Sequence, residues 1–214
     1  VKTMRTVTNT YLSHVALADF LFVTLASVTY LIAYYVSPIR HDVPYRSFIG
    51  CMLSFHGVMT TYFASLFLIT FVTIERYYAI CKPLQHRMVT GKSRTRKIII
   101  ASWVMGVFFG ACVTPRYAGY LTYCVEWPEG EEFTSLPSDI ALCVAAHPDI
   151  YLFSELTQTI PLFIAMPANI YMYGAIILAL SRRPSDGDKN SAHMQSTQRV
   201  RNQVARLLII NGTL

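Results

Sequence analysis

Three sets of side chains in this sequence could do chemistry. Asp19 lies in an apolar region, Glu75 and Arg76 are adjacent at the end of an uncharged run, and five cysteines are spread along the chain. An unpaired carboxylate among apolar residues is costly, so Asp19 predicts a functional site with a partner. The long stem of Arg76 lets its guanidinium reach a polar boundary while it pairs with Glu75, which makes a charge switch possible.

Other kinds of chemistry have no support in the sequence. The chain contains no nucleotide-binding loop, metal-ligand cluster or nucleophile–base pair, so we do not predict an enzyme. The net charge of +6 could indicate nucleic-acid binding. The basic residues, however, flank apolar runs and do not form one patch with interleaved aromatic residues, so no nucleic-acid partner is predicted.

The elements that must position these residues are membrane helices. Hydrophobic residues make up 53% of the chain and charged residues 14%, against about a quarter charged in soluble domains. Four runs have no charged residue and are long enough for a span of roughly 20 residues: Phe20–Ile39, Phe48–Ile74, Ile98–Pro115 and Leu156–Leu180. A chain of 214 residues has too few polar helices to bury four such runs in a soluble core.

The predicted fold class is therefore all-α, a multi-pass transmembrane helix bundle within one partial domain, 1–214. We expect helices at about 6–36, 47–80, 94–115 and 149–181, and an incomplete helix at 199–214. The alternating stretch Tyr120–Val125 precedes turn-forming residues and predicts a possible β-hairpin between the third and fourth helices.

The distribution of charge predicts an orientation in the plasma membrane. All but three of the 18 basic residues lie on one side, which the positive-inside rule makes cytoplasmic. The segment 117–149 contains Asp and Glu but no Lys or Arg, and it is expected outside. Because that compartment is oxidising, Cys51 and one of Cys124 or Cys143 could form a disulfide bond.

Several short motifs occur in order along the first half of the chain. They are Asn9, Leu12, Ala16 and Asp19, then Cys51, then Glu75-Arg76-Tyr77, then Pro83-Leu84, and then Trp103. In type and spacing this series resembles rhodopsin-like (class A) G-protein-coupled receptors, from their second helix to the start of their sixth.

The resemblance implies a receptor that transmits binding of an extracellular ligand to a cytoplasmic heterotrimeric G protein. It assigns the activation switch to Glu75, Arg76 and Tyr77. It assigns a sodium pocket to Asp19 and Ser65, with sodium as a possible allosteric ion and no other cofactor. Contacts with the G protein would come from Arg76, Pro83 and Leu84, and structural roles from Asn9, Trp103 and Pro161.

The ligand is expected to be a neuropeptide. Helical spacing directs Val58, Met59, Tyr62 and Leu66 toward the bundle interior together with Ser65. Val58 stands where aminergic receptors carry an Asp, and valine cannot pair with an ammonium group, so a monoamine is not expected.

The segment Cys124–Glu129 resembles the cysteine and Glu-Trp-Pro turn of some neuropeptide receptors. That resemblance places Glu126 and Trp127 at the ligand pocket and favours a disulfide between Cys51 and Cys124, with Cys143 as the alternative. The acidic loop would attract a basic peptide.

Two alternatives and one ambiguity remain. A rhodopsin-like receptor could instead bind a lipid or retinal, and a secondary transporter would show broken helices in paired halves.

The family's fifth helix usually has a proline followed eight residues later by a tyrosine. Neither Pro161 nor Pro167 satisfies this spacing; we choose Pro161 as the family proline, and Tyr171 or Tyr173 could supply the hydroxyl. Membrane lipids are further expected partners of the basic residues near the helix ends.

Overall fold

A computed structural model describes residues 7–36, 43, 47–85, 92–145 and 147–181. The helix expected at 199–214 lies outside the described residues. The described chain is mostly helical, and this confirms the predicted fold class. Its elements are α1 (Val7–Val36), α2 (Phe48–Cys81), α3 (Lys92–Val113), β1 (Gly119–Cys124), β2 (Asp139–Val144) and α4 (Pro148–Ser181).

All four helices are long and apolar enough to cross a membrane. Large apolar side chains on them are exposed, including Phe20 (66%), Phe108 (62%) and Phe163 (72%). Such side chains would be unfavourable in water but are suited to lipid. A helix also satisfies its backbone hydrogen bonds internally, which the hydrocarbon layer requires. The chain is therefore a multi-pass membrane protein.

The described residues form two compact units. The first contains α1, the part of α2 up to Ile69, α3, the hairpin, and α4 up to Ile164. The second contains the remainder of α2, from Thr70, and of α4, from Ala165. Asp19 therefore belongs to the first unit and Arg76 to the second.

Two glycines let α3 pack closely against α2 within the first unit. A Cβ atom added at Gly106 would lie 2.8 Å from the backbone oxygen of Thr60, and one at Gly110 would lie 2.8 Å from the Thr60 hydroxyl. The glycines are four residues apart and so share one face of α3. Small residues at this spacing allow membrane helices to approach closely, where van der Waals packing holds them together.

Gly106→Ala should therefore destabilise the protein. Overpacking against a backbone atom costs about 1–3 kcal/mol, although alanine returns up to about 1 kcal/mol as the better helix former. Gly174→Ala on α4 is the matched control, because among the described residues no atom outside its own stretch of helix lies within 4 Å of the Cβ it would add. We expect a lower melting temperature for Gly106→Ala than for Gly174→Ala in detergent; equal melting temperatures would mean that the helices do not need this close approach.

The structure of the hairpin shows a different partner for Cys51 from the one that the sequence favoured. β1 and β2 pair antiparallel, with Tyr120 opposite Cys143 and Cys124 opposite Asp139. Cys51 is bonded to Cys143, with their Cα atoms 5.7 Å apart, whereas Cys124 is an exposed free cysteine. The preferred pairing of Cys51 with Cys124 is thus wrong and the alternative is correct.

The physical reason for this correction is the strand register. Cys124 lies four residues beyond the position opposite Cys143, which is roughly 13 Å along the strand at about 3.3 Å per residue. A disulfide bond needs Cα atoms within about 7 Å. Cys51 cannot reach both positions.

Candidate functional site

Asp19 and Ser65 are brought together across α1 and α2. The Ser65 hydroxyl donates a hydrogen bond of 2.5 Å to a carboxylate oxygen of Asp19. The neighbouring residues Ala18 and Ala64 are fully buried, so the pair lies beside a tightly packed part of the helix contact. The carboxylate that the sequence singled out therefore has a partner between the helices.

The donor set of this pair suits a hard cation. Carboxylate and hydroxyl oxygens are the ligands that such cations prefer. Across the parts of the chain that the structure describes, no group of three or more His, Cys, Asp or Glu could hold a metal ion. Two oxygen donors, one charged and one neutral, suit a hard cation better than zinc or iron, which favour sulfur and imidazole ligands.

In the second unit, polar contacts connect α2 to α4. The Thr73 hydroxyl donates to the Tyr173 hydroxyl at 2.9 Å, and the Asn169 amide donates to the Thr70 hydroxyl at 3.2 Å. Arg76 is half-buried one helical turn beyond Thr73. The hydroxyl of Tyr173 on α4 therefore contacts α2 about one helical turn before Arg76, the predicted switch residue.

Tyr173, rather than Tyr171, supplies that hydroxyl. Tyr171 is 70% exposed, whereas Tyr173 is half-buried and hydrogen-bonded. Glu75 and Tyr77, the other predicted members of the switch, are also half-buried. Their roles stay predictions.

The predicted ligand residues of α2 lie on one face and are half-buried: Val58, Met59, Tyr62 and Leu66. The Tyr62 ring contacts that of Phe22 on α1, with ring centroids 6.3 Å apart, and packs edge-on against Phe63 at 5.1 Å. The face thus presents apolar and aromatic surface beside α1.

Trp127 is used to fold its own loop. Its indole N–H donates to the backbone oxygen of Pro137 at 2.9 Å, and its ring stacks on Phe133 with a centroid distance of 6.2 Å. Glu126 beside it is exposed. The structure shows a loop organised around Trp127, and the predicted ligand contacts of both residues remain predictions.

The other predicted residues lie as follows. Pro83 and Leu84 are exposed directly after α2, and Leu84 is 81% exposed. Trp103 is half-buried on α3, and Pro161 is half-buried within a continuous α4. Asn9 is exposed near the start of α1, where its carbonyl oxygen accepts a hydrogen bond from Ser13.

Sequence reasoning missed a cluster around Arg116. Its guanidinium forms an ion pair with Glu155, donates a hydrogen bond of 3.2 Å to the Tyr151 hydroxyl, and lies over the rings of Tyr151 and Tyr117. Tyr117 in turn stacks on Phe55 of α2. No local pattern reveals contacts between segments this far apart in sequence; the only signal was an arginine on the side with few basic residues.

Membrane-length helices, a disulfide-tethered hairpin and a hydrogen-bonded carboxylate between two helices together define a polytopic membrane protein. The family model "7 transmembrane receptor (rhodopsin family)" matches residues 1–212. The chain therefore belongs to the rhodopsin family of seven-transmembrane receptors, which is not an enzyme family. This confirms the receptor class and overturns the transporter alternative.

Individual relatives come from more than one branch of that family. Human olfactory receptor 11G2 is 21% identical over 84% of this chain and 52% of its own length. The thyrotropin-releasing hormone receptor of Gallus gallus is 36% identical over 48% of this chain and 25% of its own length. The substance-P receptor of Rattus norvegicus is 29% identical over 60% of this chain and 31% of its own length. The chain thus spans about half the length of olfactory receptor 11G2 and less of the other two.

Proposed function

We propose that this chain is part of a receptor that binds an extracellular peptide and activates a cytoplasmic heterotrimeric G protein. The Val58–Leu66 face of α2 contributes to the ligand site, and Arg76 with Glu75 and Tyr77 acts as the activation switch. Pro83 and Leu84 offer an exposed apolar contact to the G protein.

The orientation follows from two independent features. A disulfide bond between Cys51 and Cys143 is typical of a segment that faces an oxidising compartment. Most basic residues lie at the opposite helix ends, which favours the cytoplasm there. We therefore infer that the hairpin faces outside and that Arg76 lies near the inner surface.

The observation that supports a peptide as the ligand is the structure of the hairpin loop. Trp127, packed on Phe133 and bonded to Pro137, holds a compact loop on which three acidic side chains are exposed. Exposed rim acids steer a basic ligand and raise its association rate. Val58 excludes the ion pair that a monoamine would need. The names of the thyrotropin-releasing hormone and substance-P receptors are in line with this choice. The exposed acids are Glu126, Glu129 and Glu131.

A receptor of the olfactory kind is the second candidate, because olfactory receptor 11G2 matches over 84% of the chain. A lipid or retinal ligand is a third. The decisive test expresses the full-length receptor and applies a library of peptides, amines, odorants and lipids with calcium and cyclic-nucleotide readouts. We expect responses to basic peptides; a response to odorants or lipids with silence to every peptide would overturn the peptide proposal.

Asp19→Asn tests the sodium site of the same receptor. In this proposal Asp19 and Ser65 hold a sodium ion that couples to ligand affinity, and the asparagine removes the charge while it keeps the shape. Couplings of this kind change affinity by roughly fivefold or more. We expect ligand affinity to change when N-methylglucamine replaces sodium in the wild type, but not in Asp19→Asn.

Ser65→Ala is the milder control for that experiment, since it removes a neutral ligand and leaves the charge in place. It should weaken the sodium effect without removing it. A sodium effect of full size in Asp19→Asn would show that the ion does not bind at this carboxylate.

A further inference from the structure

The ends of α2, α3 and α4 nearest the hairpin meet around Arg116. Its guanidinium carbon lies 4.5 Å from the centre of the Tyr151 ring and 5.4 Å from that of Tyr117. The side chain of Arg116 is only 19% exposed, and Glu155 provides the opposite charge. Removing one partner of such a pair leaves an uncompensated, half-buried charge, so the pair is expected to act as a unit.

This cluster connects to the proposed ligand face through one ring contact. The Tyr117 ring stacks nearly parallel on Phe55, with a centroid distance of 4.2 Å and an angle of 11°. Phe55, Val58, Met59 and Tyr62 are spaced three and four residues apart, which places them on one face of α2. Phe55 is therefore the member of that face closest to the hairpin, and Tyr117 covers it.

We propose that Arg116 is a positioning residue for the ligand face of α2. Held by Glu155, its guanidinium keeps Tyr117 against Phe55 and thereby fixes the aromatic ring that borders Val58. The inference rests on the proposed function in one respect, since the role of this face in ligand binding is itself proposed. An apolar surface bounded by Phe55 and Tyr62 suits an aromatic or aliphatic side chain of a peptide.

The chemistry of arginine explains its presence here. A guanidinium is planar, stacks on aromatic rings and still presents N–H donors at its edge, so it can contact two tyrosines and a carboxylate at once. The ammonium group of lysine is a compact point charge and cannot stack in this way. Arg116→Lys therefore keeps the charge but should lose much of the positioning.

The test measures access to Val58 without any ligand. A thiol is introduced by Val58→Cys into the full-length receptor, in a Cys124→Ser background that removes the exposed native thiol. Its reaction rate with methyl methanethiosulfonate is followed by mass spectrometry in membranes. This reagent is uncharged, so Arg116 does not attract or repel it. Loss of the positive charge would also disfavour the reactive thiolate and slow the reaction, which is opposite to the increase expected from better access. We expect Arg116→Met to raise the rate roughly threefold or more, within the usual range for coupled contacts.

Three further substitutions separate positioning from simple anchoring of α4. In the presence of Phe55→Leu, Arg116→Met should cause no further increase, because the ring through which it acts is absent. Tyr117→Leu leaves the Arg116–Glu155 pair in place and should raise the rate as much as Arg116→Met does. Tyr117→Phe retains the stacked ring and should leave the rate unchanged.

The proposal is overturned if Arg116→Met and Phe55→Leu act additively on the rate, or if Tyr117→Leu leaves it unchanged. If the Arg116→Met receptor fails to reach the membrane, Tyr117→Leu tests the proposal in its place, because this substitution leaves the ion pair intact. No peptide is used in this experiment. Silence in the peptide screen would therefore end the peptide proposal without affecting this result.

Discussion

Arg76→Ala should abolish G-protein activation by the full-length receptor and leave ligand affinity within about twofold. Arg76 is half-buried near the end of α2, one turn beyond the Thr73–Tyr173 hydrogen bond. In the proposed switch its guanidinium leaves Glu75 and contacts the G protein. Alanine has no group that could do either, whereas the proposed ligand face lies two or more turns away along α2. Agonist-stimulated GTPγS binding in membranes, with ligand saturation binding beside it, measures the two effects separately.

Arg96→Ala is the matched control for that substitution, because Arg96 is exposed on α3 on the same proposed side of the membrane. It should leave both readouts unchanged. Normal nucleotide exchange in Arg76→Ala, at a normal number of receptors on the cell surface, would contradict the switch role.

The second large effect concerns the disulfide bond. Cys51→Ala or Cys143→Ala should cost about 4–5 kcal/mol of stability, because the bond closes a loop with a sequence separation of 92 residues. Cys124→Ala should change the stability by no more than about 0.5 kcal/mol, since that side chain is exposed and unbonded. Melting temperature in detergent and the fraction of receptor at the cell surface measure the difference.

The three alanine variants also test the pairing against the one favoured by the sequence. A pairing of Cys51 with Cys124 would reverse the order, making Cys124→Ala as damaging as Cys51→Ala and Cys143→Ala harmless. The double variant Cys51→Ala, Cys143→Ala should be no less stable than either single variant, because each already breaks the same bond.

The helices were predictable because each carries its own signal. An uncharged run of membrane length indicates a span whatever it packs against, so α1 to α4 follow from composition alone. The pair of Asp19 and Ser65 was predictable for another reason: the resemblance carries the spacing that brings them together. Both predictions depend on information contained in short segments.

The disulfide partner could not be predicted in this way. The choice between Cys124 and Cys143 depends on which part of the hairpin lies beside Cys51, and the register of β1 on β2 keeps the two cysteines apart. A Glu-Trp-Pro turn after a cysteine resembles the family pattern whether or not that cysteine is bonded. In this chain Trp127 instead organises the loop through Pro137 and Phe133.

To choose between Tyr171 and Tyr173, one must know how α4 is rotated about its own axis. Asn169 and Tyr173 are four residues apart and both bond to α2, through Thr70 and Thr73. These two contacts fix the rotation and leave Tyr171 on another face. Sequence spacing shows which residues share a face of a helix, but it does not show which face contacts the neighbouring helix. The Arg116 cluster was missed for the same reason, because its members come from three helix ends.

The orientation of the hairpin is the claim on which both the ligand site and the switch depend. Cys124 offers a direct measurement, since it is an exposed free thiol on the hairpin. A membrane-impermeant maleimide is applied to intact cells that express the full-length receptor, with Cys124→Ser as the control for labelling elsewhere. We expect labelling of Cys124 on intact cells and its loss in Cys124→Ser. Labelling that appears only after the cells are permeabilised would place the hairpin in the cytoplasm, on the wrong side for the proposed ligand site.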